Sequence, residues 1–117
     1  MTMKPTDFGG AAAVDSYGPG FFRIGGKVIH GAVLVTAQGA AAWGGLDDRA
    51  ALMALAGQVD VLFIGMGAEV AHAPAGLLAA LREAGVAVES MSSPTAARTY
   101  NVTLSEGRRV ACALLPL

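Results

Sequence analysis

The stretch "DVLFIG", residues 60–65, sets four apolar residues in unbroken succession between an aspartate and a glycine. A strand with one wet face alternates apolar and polar residues, whereas a strand covered on both faces reads as a continuous apolar run. Residues 60–65 are therefore predicted to be a strand buried on both sides. Downstream, "HAPAGLLAALREAG" (72–85) has helical spacing, with Leu77, Leu78 and Leu81 on one stripe. Pro74 suits the first helical position and Gly85 the C-terminal stop. "VAVESM" (86–91) is the next strand. A strand–helix–strand unit of this length calls for a parallel pair joined by a right-handed crossover.

Working outward, "SSPTAARTYN" (92–101) opens a second helix. Ser93 is the expected N-cap and Pro94 the first helical residue. That helix is predicted to run to about Glu106 and stop at Gly107, ahead of a last strand "RRVACALLP" closed by Pro116. On the other side, "LDDRAALMALAG" (46–57) reads as a helix capped by Asp47, with Asp48 favouring the first-turn dipole and Gly57 ending it. "FFRIGGKVI" (21–29) reads as a β-hairpin turning at Gly25-Gly26. Its second strand is expected to continue to Val35 with a bend at Gly31. "TAQGAAAW" (36–43) fits a short returning strand with Trp43 as anchor, and equally a loop. Residues before Gly20 read as a Gly/Ala-rich lead-in. The sum is an α/β domain with a mixed sheet, flanking helices and an N-terminal β-hairpin.

No linker, repeat or charge block divides the 117 residues, so residues 1–117 are expected to form one domain. The chain is 54% hydrophobic and 15% charged, which fits a packed core and excludes a disordered chain. With aromatics at 6%, Ala, Val, Leu and Met must fill that core. A net charge of −1 without a basic stripe offers no electrostatic footprint for nucleic acid. Arg108 and Arg109, the one basic pair, read as solvated or as closing a helix end. Cys112, the single cysteine, lies in an apolar run and reads as a small buried hydrophobe. "MTMKPTDFGG" lacks the apolar core of a secretory signal, and no window is long and apolar enough for a transmembrane helix. A cytoplasmic location is expected; peripheral membrane association and self-association are both compatible with the sequence.

Three segments are candidate sites. Gly65, Met66 and Gly67 end the buried strand, the edge at which open α/β sheets tend to bind ligands. Val70 stands where a dinucleotide fingerprint needs its third glycine, so that cofactor is not expected. A tight turn without ligand is the plainer reading. The second candidate is "ESMSSPTAARTYN" (89–101). If the strands at 60–65 and 86–91 are parallel neighbours, Gly65, Met66, Gly67, Ser90, Ser92, Ser93 and Arg98 share one edge. A helix N-terminus with an arginine there is a plausible anion site. The plainer alternative pairs Arg98 with Glu89, a charged residue inside a strand that otherwise reads as buried. Tyr100 is expected to face the core, and Asn101 to share a stripe with Arg98. The third candidate, "SYGPGFFRIGG" (16–26), is either a turn into the hairpin or a surface presenting Tyr17, Phe21, Phe22 and Arg23 to a partner. His30 and His72 stand apart, and no metal, hydrolase or redox motif accompanies them. No cofactor, metal or catalytic residue is expected.

Taken together, "SYGPGFFRIGG", "DVLFIGMG", "VAVESMSSPTAARTYNV" and "EGRRVACALLP" resemble a small family of unknown function. Its eukaryotic members include a mitochondrial complex I assembly factor and an adipogenesis-associated protein, and its bacterial and archaeal members are single domains. The resemblance runs from about Phe8 to Pro116, and 89–110 is its most specific part. The family usually has threonine where this chain has Ser93, and a small residue or cysteine at Ala97. The resemblance implies a three-layer α/β fold with a central mixed sheet and a hairpin, no established activity or cofactor, and action through protein partners.

Overall fold

The computed structural model describes residues 11–69 and 71–117; the leader reading and the start of the resemblance at Phe8 lie outside them. Strands β1 (Val14–Gly18), β2 (Phe21–Ile24) and β3 (Lys27–His30) form an antiparallel three-stranded sheet in sequence order. Strands β4 (Val33–Thr36), β5 (Gly39–Ala42), β6 (Val61–Gly65), β7 (Ala87–Met91) and β8 (Val110–Leu114) form a mixed sheet in the order β5-β4-β8-β6-β7. Within it β6 runs parallel to both β7 and β8, and β4 antiparallel to both β5 and β8. Helices α1 (Arg49–Met53), α2 (Ala75–Glu83) and α3 (Ser93–Ser105) flank that sheet.

The continuous apolar runs do what their pattern demands. Val61 and Phe63 of β6 and Val110, Cys112 and Leu114 of β8 point into one core, with Ala97, Tyr100 and Leu104 of α3 and Phe22 of β2. The alternate residues, Leu62, Ile64, Ala111 and Ala113, point into a second core with Leu52, Leu77 and Leu81. The central sheet is thus sandwiched between α3 with the small sheet and α1 with α2, which gives the expected three layers. Each large apolar side chain so buried stabilises the fold by about 2 kcal/mol.

Four local expectations change, and one open alternative is decided. The lead-in contains a strand, β1, pairing with β2 through a bulge at Asp15. The hairpin strand does not continue to Val35. Gly31, at φ 84, breaks it, so that β3 ends in the small sheet and β4 starts in the large one. Residues 36–43 return as β5, opposite β4. In α1, Asp48 rather than Asp47 takes the N-cap position, and its carboxylate accepts from Gly44 N–H at 3.2 Å instead of capping the helix. Pro74, extended at ψ 133, is the cap of α2 rather than its first residue.

Candidate functional site

Because β8, β6 and β7 are parallel, their carboxyl ends share one edge, and of the sequence-predicted residues Gly65, Met66, Gly67 and Ser93 meet there. The edge is closed by the chain's own hydrogen bonds. Met66 N–H donates to Met91 O at 2.7 Å, and Leu115 N–H donates to Gly65 O at 2.9 Å. Ser93 is fully buried. Its N–H donates to Gly67 O at 2.7 Å, while its hydroxyl accepts from Gly67 N–H at 2.9 Å and donates to Leu115 O at 2.6 Å. One serine therefore ties the turn after β6, the start of α3 and the segment after β8. Gly65 makes that approach possible. A Cβ there would lie 2.7 Å from both the Cα and the Oγ of Ser93 and 2.8 Å from Leu114 Cδ2.

The cap itself shifts by one residue. Ser92 is the N-cap of α3 and Ser93 its first helical residue. The correction follows from burial: a cap side chain sits at the surface over the first amides, whereas Ser93 is drawn inward by Gly67 and Leu115. Ser92 Oγ reaches Thr95 Oγ1 at 3.0 Å rather than a backbone amide. Pro94 has no N–H and that of Ser93 is committed. Among the described residues, only Thr95 in the first turn keeps an amide without a partner in the chain. Ser90 turns to the other face, where its hydroxyl accepts from Ala73 N–H at 3.3 Å.

The Arg98–Glu89 tie does not form. Both residues are exposed, and the ion pair present among the described residues is Arg109–Asp60. Glu89 lies on the edge strand β7, whereas α3 packs chiefly over β6 and β8. Arg98 shares its flank of α3 with Asn101, which reaches β1 rather than β7.

Tyr100 and Asn101 turn out to be anchors, and sequence reasoning missed this for Asn101. Tyr100 is fully buried, as expected, and its hydroxyl donates to Ala12 O at 2.7 Å. Burial, with the nearby Cys112 second, pushes its phenol pKa up. Asn101 accepts from Val14 N–H at 2.9 Å and donates to Val14 O at 2.8 Å. Its amide thus stands in for a neighbouring strand beside β1, at the bulge. An available signal was the Tyr-Asn pair itself: two groups needing partners, opposite an N-terminal segment with backbone to satisfy.

The remaining candidates stay apart. His30 is exposed at the end of β3, its ring 6.4 Å from that of Phe21, and His72 is exposed before α2. Cys112 is fully buried, and burial pushes its thiol pKa up. Among the described residues no three His, Cys, Asp or Glu side chains gather to hold a metal ion, and no helix is long and apolar enough to cross a membrane. On the hairpin, Tyr17 and Val28 are exposed while Phe22 is buried.

With this geometry in place, comparison with known proteins is decisive for the family. The family model described as "Protein of unknown function (DUF498/DUF598)" matches residues 14–115. The chain belongs to this family. A protein of uncharacterised function from Rhodobacter capsulatus is 56% identical over 117 residues, covering 100% of this chain and 94% of that one. NADH dehydrogenase [ubiquinone] 1 alpha subcomplex assembly factor 3 of Danio rerio is 32% identical over 123 aligned positions, covering 99% of this chain and 71% of the longer relative. Among solved structures, an outer membrane protein from Bartonella henselae superimposes with a TM-score of 0.82 at 32% identity, over 92% of this chain and 96% of that one. The DUF498/DUF598 membership bears out the family resemblance, and the mixed sheet with its separate hairpin sheet bears out the fold class.

Proposed function

We propose that this DUF498/DUF598 domain is a protein-interaction module that assists assembly of a larger, membrane-associated complex of the NADH dehydrogenase type. The observation that carries the reading is the 32% identity to the Danio rerio assembly factor across 99% of this chain. The geometry supports it too. In the polar cluster that the sequence offers as a candidate site, Ser93 and Gly67 are committed to holding the fold. On this reading the domain acts from the cytoplasm or at its membrane surface, and it needs no cofactor. The test is deletion of the gene in its own host, followed by native gels of NADH dehydrogenase. Accumulated subassemblies, reversed by restoring the gene, are expected. A normal complex at normal abundance in the deletion strain sinks the reading.

A second reading keeps a small anion at the start of α3, among Gly65, Met66, Gly67, Ser92, Ser93 and Arg98. What favours it is the uncommitted Thr95 amide with exposed Arg98 three residues on. Ser93 and Gly67 already hold each other, so the ligand's contacts contract to Ser92, Thr95 and Arg98. A thermal-shift series with inorganic phosphate decides it. A rise in Tm that vanishes in Arg98→Ala is expected, and no rise at any phosphate concentration refutes it.

A further inference from the structure

At the opposite end of the central sheet three connections converge. The β4–β5 turn brings Gln38, the link from α1 to β6 brings Gln58, and the link from α3 to β8 brings Arg108 and Arg109. Between them lies a cavity of about 300 Å³. We propose that this cleft receives a glutamate side chain, together with its peptide group, from an extended acidic segment of a partner protein. The protein nature of the partner rests on the interaction reading above; the carboxylate chemistry comes from the cleft itself.

Among the described residues the lining includes Arg108, Arg109, Gln38, Gln58 and Thr36, and no Asp or Glu. The two arginines are not equivalent. Arg109 grips Asp60 in a forked pair, Nη2 to Oδ1 at 2.7 Å and Nε to Oδ2 at 3.3 Å, and its Nη1 donates to Gly57 O at 3.3 Å. Its charge is matched and its position fixed, so it serves as a wall. The Arg108 guanidinium has no hydrogen-bond or ion-pair partner among the described residues. One unmatched positive charge suits one carboxylate. A phosphate dianion suits the site less well, because the carbonyl end of α3, at Leu104 to Gly107, borders the cleft and repels added negative charge. Gln38 and Gln58 offer both donors and acceptors, the complement of a peptide group. Val59, Leu104 and Val110 supply an apolar base for side-chain methylenes. A cavity of about 300 Å³ is at the small end of ligand sites, the size of one side chain with its peptide link rather than of a large metabolite.

The probe is the peptide acetyl-Ala-Glu-Ala-amide titrated into the ¹⁵N-labelled chain, with acetyl-Ala-Gln-Ala-amide and inorganic phosphate as the other arms. Shifts clustered at Gln38, Gln58, Gly107 and Arg108 are expected, with the Gln peptide and phosphate at least tenfold weaker. Arg108→Gln should weaken the Glu peptide about tenfold and change Tm only slightly, since among the described residues that side chain makes no hydrogen bond or ion pair and acts on Asp60 through its charge alone. Shifts scattered over the surface, phosphate moving the same cleft amides at as low a concentration as the Glu peptide, or undiminished binding in Arg108→Gln would each overturn the proposal. In the host, full rescue of a deletion defect by Arg108→Glu overturns the cleft and leaves the assembly reading standing. A deletion without assembly defect removes the assembly reading and leaves the titration to decide the cleft.

Discussion

The two ends of the central sheet are built from the same strands and finish in opposite ways. At the carboxyl end, Ser93 joins the turn after β6, the start of α3 and the segment after β8, with Gly65 pressed against it. At the amino end, three connections stand apart around a cavity, and Arg108 faces it without a partner among the described residues. Ligand binding in open α/β sheets favours the carboxyl edge. Here that edge is the locked one, because the Ser93 hydroxyl takes up the Gly67 amide and the Leu115 carbonyl. Clustered polar residues therefore do not by themselves mark a site. What matters is whether their hydrogen bonds end inside the chain.

The sharpest way to break the comparison is to add one methyl group at each end. Gly65→Ala drives a Cβ into the backbone of Ser93, which cannot rotate away. It should cost about 3 kcal/mol in urea unfolding. Gly107→Ala at the amino end meets open space and carries only the strain of φ 79, so about 1 kcal/mol is expected. Equal losses would mean that the carboxyl edge is not locked. Ser93→Ala comes next. It strands Gly67 N–H and Leu115 O in a buried setting, for about 2 kcal/mol, with faster hydrogen exchange at Gly67. Ser92→Ala, whose hydroxyl bonds only Thr95, should lose no more than about 0.5 kcal/mol. A reversal of that pair would mean that the Ser93 hydroxyl does not tie the edge.

How much of this was legible follows from the kind of signal each part leaves. The runs at 61–64 and 110–115 are apolar throughout because both faces of β6 and β8 are covered, so the sheet interior could be read directly, and the strand–helix–strand unit implied the parallel pairing of β6 with β7; the place of β8 between β4 and β6 left no local signal. β1 was invisible: Val14-Asp15-Ser16-Tyr17-Gly18 does not alternate, and its start at Val14 is held in part by the amide of Asn101, 87 residues away. Glu89 looked buried because its strand did, yet β7 is an edge whose α3 side is only partly covered. Likewise, "SSPTAARTYN" announced a helix start, but which serine turned inward depended on Gly67 and Leu115, contacts that no local pattern encodes. The amino-end cleft left only the Arg-Arg pair, which periodicity cannot tell from a solvated turn.

A smaller effect tests the anchors that join the hairpin sheet to α3. Asn101→Ala leaves the Val14 N–H and O to partial solvation and should cost about 1 kcal/mol. Asn101→Asp keeps the acceptor for Val14 N–H but sets a carboxylate oxygen against Val14 O, so it should do no better. Exchange at the Val14 amide reads both. If it stays as slow as in the parent chain, β1 is held by β2 alone.

The smallest expected effect bears on the amino end most directly. The hydrogen bond from Arg109 holds the Asp60 carboxyl below the usual carboxylate range against slight desolvation, and the charges of Arg109 and then Arg108 push the same way. A carboxyl whose folded pKa lies below its unfolded value stabilises the fold above that unfolded value, and the contribution is lost as pH falls through the folded one. Tm should therefore fall slightly faster in acid for the parent chain than for Asp60→Asn, the two converging at the lowest pH. Both side chains are more than half exposed, so salt should shrink the difference. Arg108→Gln turns this into a test of placement. Arg108 acts on Asp60 only through its charge, so removing that charge should move the Asp60 carboxyl titration upward, read by carbon chemical shift, while the forked pair with Arg109 persists. A titration that does not move would mean that the Arg108 guanidinium points away from the cleft, leaving no unmatched charge there for a carboxylate to meet.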